Sequence, residues 1–286
     1  MFTARAKVCG LIGNPIEHSL SPLMQGIFSS EMNVDSIYVP LPVKKDLENA
    51  IKGAYLLGFK GLNVTIPYKK EVINYLIDID ESAKKIGAVN TLVRVNGGFK
   101  GYNTDILGLE KSLKNADISI KNKKVIIFGA GGAAKSVLHL CVNLGAESII
   151  LVNRDILKAK KLITELENKN VDLKAFSLEE FKLQLKNILP YNDYIAFQAT
   201  SVGMYPNVDE CIIEDNEFYE KCLAGVDIIY TPSKTRFMEM FLNKKVINGL
   251  DMLLYQGAFA WELWNEVKLD NEVIEKVRDM LKERVK

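Results

Sequence analysis

Two textures of hydrophobic and polar positions alternate along this chain. Solid apolar runs at 8–13, 37–43 and 61–65 read as strands. Each is followed by residues at helical spacing, with helices opening at Ser21-Pro22, near Lys45 and at Pro67. Runs at 90–95 and 99–104 flank Asn96-Gly97-Gly98, which predicts a hairpin. A helix over 105–115 follows, and the polar stretch 115–124 reads as a linker. The pattern then restarts with a buried strand at 125–129, a helix at 133–144 closed by Gly145, and a strand at 148–153. Further strands are expected at 194–198, 226–230 and 245–248, and the tail from Asp251 reads as two helices broken near 269–271. Such alternation builds parallel sheets with helices on their faces, so the predicted class is α/β.

Length sharpens this picture. At 286 residues the chain suits two domains, taking roughly 150 residues for each. Its 48% hydrophobic and 26% charged residues are globular values, which removes disordered and fibrous readings. The 37 basic residues nearly cancel the 36 acidic ones, so no general nucleic-acid or membrane surface is advertised. Cys9, Cys141, Cys211 and Cys222 fall at irregular spacings without a histidine partner nearby, which argues against zinc, any other metal centre or a redox pair. The first residues lack the apolar run of a secretory signal, and no window approaches the ~18 apolar residues of a membrane span. The expectation is a soluble cytoplasmic protein acting on a small molecule, as a monomer or homodimer.

The restart at 125 carries the first chemistry. Its strand runs into Gly129-Ala130-Gly131-Gly132-Ala133-Ala134, a G-x-G-x-x-A form of the dinucleotide fingerprint. Glycines there permit a tight turn and let backbone N–H groups approach a diphosphate at a helix N-terminus. The next strand ends at Asn153-Arg154, with Lys158 one helical turn on, where an NAD site would usually offer an acid. Two cations favour a 2′-phosphate, hence NADP. Asp155 either repels that phosphate or caps the next helix.

The first half holds a scattered polar set. Ser19 and Ser21 precede Pro22, where Ser21 is a ready N-cap and the pair could also receive a carboxylate. His18 reads as a loop residue and His139 as packing on the glycine-loop helix. Asn63, Thr65 and Lys69 lie at the C-terminal end of the third strand, where α/β sheets collect ligands. Asn90 and Asp105 could converge on them. Lys69 alone, one of 31 lysines, says little; the set carries the information.

That set resembles the shikimate dehydrogenase family along nearly the whole chain. The matching segments are Ser19-Leu20-Ser21-Pro22, Asn63-Val64-Thr65-Ile66-Pro67-Tyr68-Lys69, Gly87-Ala88-Val89-Asn90-Thr91 and Gly101-Tyr102-Asn103-Thr104-Asp105. In the same order follow the glycine loop, Asn153-Arg154 with Lys158, Ala199-Thr200-Ser201-Val202-Gly203-Met204, Asp227-Ile228-Ile229-Tyr230-Thr231-Pro232, and Gly249-Leu250-Asp251-Met252-Leu253 leading to Gln256-Gly257. The resemblance implies a mixed-sheet α/β substrate domain (1–105, completed by 250–286), a Rossmann NADP-binding domain (106–249), and a cleft between them.

It also implies the activity, reversible NADP-dependent reduction of 3-dehydroshikimate to shikimate on the route to aromatic amino acids. Lys69 and Asp105 would be the catalytic pair. Ser19, Ser21, Asn63, Thr65, Asn90, Tyr230 and Gln256 would hold substrate; Gly129, Ala130, Gly131, Gly132, Ala133, Asn153, Arg154, Lys158, Ile228 and Gly249 would hold cofactor. Three positions depart from the family pattern: Gln198 for a usual Asn, Asp155 for a common Thr, and Asp251 for a small residue. Rival readings are an NAD-preferring quinate/shikimate dehydrogenase and a non-catalytic module that senses dinucleotide.

Overall fold

The computed structural model describes residues 2–166 and 171–285 of the chain; the outermost positions of the expected first domain, 1 and 286, lie outside them. From the amino end β1 (Lys7–Gly13), α1 (Ser21–Glu31), β2 (Ser36–Pro42), α2 (Leu47–Leu56) and β3 (Gly61–Val64) alternate. In place of the helix expected from Pro67 there are turns and a 3-10 helix at Glu71–Tyr75. Next come β4 (Asp78–Ile79), α3 (Glu81–Ile86), the hairpin β5 (Thr91–Val95) and β6 (Gly98–Tyr102), and α4 (Thr104–Asn115). Then follow β7 (Lys124–Phe128), α5 (Gly132–Asn143), β8 (Ser148–Asn153), α6 (Ile156–Thr164) and β9 (Asp172–Ser177). The short helices α7 (Leu178–Leu183) and α8 (Leu185–Ile188) lead to β10 (Tyr194–Gln198), α9 (Asn216–Glu220), β11 (Cys222–Asp227), α10 (Arg236–Glu239) and β12 (Lys245–Ile247). The final helices are α11 (Leu250–Asn265) and α12 (Asn271–Arg284).

Two units result. One takes in the chain up to Gly108 together with Leu253–Leu281; the other takes in Leu109–Met252 and the chain from Lys282 onward.

In the first unit the strand order is β2-β1-β3-β5-β6-β4. β1 is parallel to β2 and β3, but β5 is antiparallel to both β3 and β6. The hairpin therefore makes this sheet mixed, as the family resemblance implied. A two-residue connection can only return antiparallel. Trp264 of α11 is seated where Gly61 of β3 leaves room, for a methyl group at Gly61 would fall 1.9 Å from the indole Nε1. That buried N–H donates to the Leu92 carbonyl at 2.9 Å, so the side chain buries its bulk without stranding a donor. Trp261, one turn earlier, donates to Ser29 Oγ at 2.9 Å.

In the second unit the order is β12-β11-β10-β7-β8-β9, every pair parallel. This is the doubly wound Rossmann arrangement, with β7 and β10 at the point where strand order reverses. Phe128 makes edge-on contacts with Phe181, Phe218 and Phe237 at centroid distances of 5.4–6.5 Å, which gives one face of this sheet an aromatic core. The stretch 115–124 is not a free linker, because Ile118 and Ile120 are buried. Among the described residues no helix is long and apolar enough to cross a membrane.

Candidate active site

The first unit gathers most of the expected substrate residues into one hydrogen-bonded network. Lys69 follows the end of β3 and Asp105 opens α4; Lys69 Nζ donates to Asp105 Oδ2 at 2.7 Å. The other carboxylate oxygen accepts from Asn90 Nδ2 at 2.8 Å. Asn90 is itself locked, for its Oδ1 accepts from the Thr104 N–H at 2.7 Å and from Thr91 Oγ1 at 3.0 Å. The Lys69 carbonyl accepts from the Val89 N–H at 2.8 Å, which ties the lysine's backbone to the segment before Asn90. The Asp105 side chain is 13% exposed and that of Lys69 33%, so the carboxylate is sheltered and the ammonium reaches solvent.

Asn63 extends the network. Its Nδ2 donates to Thr91 Oγ1 at 3.1 Å and to the Asn90 carbonyl at 3.2 Å, while its Oδ1 accepts from the Tyr38 hydroxyl at 2.8 Å. Burial drives the pKa of that hydroxyl well above its ordinary value; Cys9 adds to the rise and a hydrogen bond with Ser21 opposes it. A continuous path thus runs from Tyr38 through Asn63, Thr91 and Asn90 to Asp105 and Lys69. Tyr38, Thr91 and Thr104 were not singled out by sequence. The two threonines adjoin Asn90 and Asp105, and that adjacency was the available signal; Tyr38 in β2 offered none.

Ser21 is not the N-cap of α1. Leu20 holds that place without a side-chain bond, Ser21 is the first helical residue, and Ser19 Oγ accepts the Ser21 N–H at 3.2 Å. Ser19 supplies the missing acceptor. Thr65 and Gln256 stand apart from the network. The Thr65 methyl packs on Gly13, and Gln256 Nε2 donates to the Leu253 carbonyl at 2.9 Å within its own helix. Tyr230 belongs to the second unit, where burial raises its hydroxyl pKa. His18 is exposed, whereas His139 is buried in α5, and there burial first and Lys135 second lower its pKa to about 4.

The second unit holds the expected cofactor residues. Gly129 takes φ +115°, and a methyl group on it would sit 2.7 Å from the Ala199 carbonyl oxygen, so glycine is required by conformation and by space. Gly131 and Gly132 differ: a methyl on either would have no protein atom within 4 Å. Their bareness is not demanded by packing. It leaves the N-terminus of the 12-residue α5 open to an anion, as a dinucleotide diphosphate requires. Ala134 behind them is fully buried against the sheet.

Past β8, Asn153 Nδ2 donates to the Asp155 carbonyl at 2.9 Å. Asp155 Oδ1 accepts the Leu157 N–H at 3.0 Å, so this residue is the N-cap of α6. Exposed Lys158 lies 3.9 Å from it, and Arg154 has no acidic partner among the described residues. A methyl on Gly249 would lie 2.1 Å from the Ile228 carbonyl oxygen. Among the described residues no three His, Cys, Asp or Glu side chains come together as a metal site.

Residues 11–92 match the shikimate dehydrogenase substrate binding domain, residues 110–205 the shikimate / quinate 5-dehydrogenase model, and residues 249–277 the shikimate 5′-dehydrogenase C-terminal domain. A shikimate dehydrogenase (NADP(+)) of Caldanaerobacter subterraneus subsp. tengcongensis is 40% identical over 95% of this chain and 96% of its own. The chain belongs to the shikimate dehydrogenase family. Solved members of the family share the fold. The Listeria monocytogenes shikimate 5-dehydrogenase, crystallised with shikimate and NAD, superposes with a TM-score of 0.89 at 30% identity, covering 98% of both chains. The Thermus thermophilus shikimate 5-dehydrogenase, in complex with NADP(H) and shikimate, gives a TM-score of 0.82 at 29% identity, covering 96% of this chain and 99% of its own.

Proposed function

We propose that this chain catalyses the reversible reduction of 3-dehydroshikimate to shikimate with NADPH, a step toward aromatic amino acids. One observation carries the reading: a partly exposed ammonium, Lys69, held 2.7 Å from a sheltered carboxylate whose second oxygen is fixed by Asn90. Reducing a ketone places negative charge on its oxygen, so the site must stabilise that charge and deliver a proton. Lys69 does both, giving its Nζ proton to the oxygen and regaining one from solvent. In the reverse direction neutral Lys69 takes the proton from the substrate hydroxyl. Asp105 orients Lys69 and accepts from a neighbouring substrate hydroxyl. The hydroxyls of Ser19 and Ser21 receive the substrate carboxylate, while Asn63, Thr65, Asn90, Gln256 and Tyr230 receive its ring hydroxyls and hold its face.

Bound NADPH would supply the hydride. Gly129, Ala130, Gly131, Gly132 and Ala133 would hold its diphosphate, Asn153, Arg154 and Lys158 its 2′-phosphorylated ribose, and Ile228 and Gly249 its nicotinamide end. Asp155 caps α6 through its carboxylate, which gives it a place beside a 2′-phosphate site without a contact to ribose. We assign the enzyme to the cytoplasm, acting as a monomer or homodimer.

The test crosses shikimate and quinate against NADP and NAD, read as absorbance of the reduced nicotinamide. Turnover of shikimate with NADP is expected, and Lys69→Met should lower kcat by about 10²–10⁴ while shikimate still binds. Quinate turnover with NAD and none with NADP would overturn the reading, as would a Lys69→Met enzyme of wild-type rate.

A further inference from the structure

β10 and β11 end side by side, with Gln198 opposite Asp227 in register and neither side chain exposed. Each braces the loop that follows its own strand. Gln198 Oε1 accepts from the N–H and the hydroxyl of Thr200 at 2.6 and 2.8 Å, and its Nε2 donates to the Val202 carbonyl at 2.8 Å. Asp227 Oδ1 accepts the Ile229 N–H at 2.9 Å, and its Oδ2 accepts the Thr235 hydroxyl at 2.6 Å.

Further bonds join the two loops and the turn before α11. The Ile228 N–H donates to the Gln198 carbonyl at 3.0 Å, and the Gly249 N–H to the Ile229 carbonyl at 2.9 Å. A methyl on Gly203 would touch the Thr235 side chain at 3.6 Å. Thr235, 1% exposed, is the N-cap of α10: its hydroxyl oxygen accepts the Met238 N–H at 3.3 Å while its single proton goes to Asp227. Burial pushes the Asp227 carboxyl up to about 6, and the bonds from Thr235 and Ile229 pull against that rise. No cation pairs with this carboxylate among the described residues. A buried anion held only by the hydroxyl of the α10 N-cap and a loop N–H gives the fold little that an apolar residue would not.

We propose that Asp227 is the positioning residue of the dinucleotide site, fixing the backbone of residues 228–230 against Gly249 and thereby setting the affinity for cofactor. The proposal rests on reading Ile228 and Gly249 as cofactor-facing. It predicts that the hydroxyl at position 235, rather than the volume of that side chain, controls binding.

The experiment is calorimetric titration of NADP+ into substrate-free enzyme, beside the thermal midpoint of each variant without ligand. Thr235→Val, which removes the proton donor, should weaken NADP+ binding about tenfold, whereas Thr235→Ser should stay within about threefold of wild type. Asp227→Asn sets an amide against a hydroxyl that must also donate, and should weaken binding by about the same factor as Thr235→Val. In turnover the loss should fall on KM for NADPH, with kcat little changed. If Asp227→Asn does not fold, the valine–serine pair decides alone. Wild-type affinity in Thr235→Val, or serine binding as poorly as valine, overturns the positioning role. A change confined to the thermal midpoint overturns it too, since that is what a purely structural residue would give. A wild-type chain that binds no dinucleotide overturns the functional reading and this proposal together.

Discussion

Gly131→Ala separates what the glycine loop does for the fold from what it does for a ligand. Gly131 is the N-cap of α5, at φ −86° and ψ −170°, a conformation alanine adopts without strain. A methyl there meets no protein atom within 4 Å. Alanine gains about 0.4–1 kcal/mol by restricting the unfolded chain and loses a similar amount as a poorer cap. Stability should therefore move by less than about 1 kcal/mol, or no more than about 4 °C in thermal midpoint. Binding should respond differently, because the methyl fills the space through which a diphosphate reaches the N–H groups of α5. Losing one charge-assisted hydrogen bond, at about 1.5–3 kcal/mol, raises Kd by roughly tenfold to a hundredfold or more. Titration of NADP+ and differential scanning calorimetry measure the two quantities on one sample. Gly129→Ala is the contrast: φ is +115° and the methyl lies 2.7 Å from a carbonyl oxygen, so this variant should lose about 2 kcal/mol or more of stability. Gly131→Ala that binds NADP+ within about twofold of wild type, or unfolds many degrees early, would refute the reasoning.

Other consequences concern charge. His139 is held at a pKa of about 4 against an ordinary 6.5, mainly by burial. An unfolded chain takes up that proton first, so the stability is present above pH 6.5 and drains away as pH falls toward 4, by up to about 3 kcal/mol. His139→Leu should flatten the loss between urea midpoints at pH 7 and pH 4.5; an unchanged slope would count against it. Arg154→Ala with Lys158→Ala should raise Kd for NADP+ at least about tenfold and leave NAD+ binding unaltered, since only NADP carries the 2′-phosphate. Asp155→Asn keeps a capping side chain and removes one negative charge, so the NADP-to-NAD preference should rise; a fall would show that the carboxylate binds ribose.

Particular residues show why parts of this molecule were readable and others not. β7 and β8 are solid apolar runs buried on both faces, and a pattern of that kind announces itself. β9 (Asp172–Ser177) escaped notice because it is an edge strand of mixed polarity that needs only one covered face. β11 was expected at 226–230 but occupies Cys222–Asp227. The run around it is apolar on both sides of Asp227, so hydropathy could not locate the end. The strand stops where the Asp227 carboxylate takes the Ile229 N–H. The lysine–carboxylate pair was legible as a set of spaced polar residues. The locking of Asn90 by Thr91 and Thr104 was not, because buried threonines satisfied by one another look like ordinary strand and cap residues until distances are known.

The seat of Trp264 on Gly61 bears on the order in which this protein folds during its own synthesis. The space over Gly61 and the Leu92 carbonyl wait for a side chain encoded about 170 residues downstream of Leu92. The whole of Leu109–Met252 is translated in between, and every strand of the parallel sheet lies within it. Once Met252 has emerged from the ribosome, every strand of the parallel sheet is free to pair, while the first sheet still lacks its indole. Completion of the first sheet waits for α11 to emerge, whatever the state of the Rossmann unit by then.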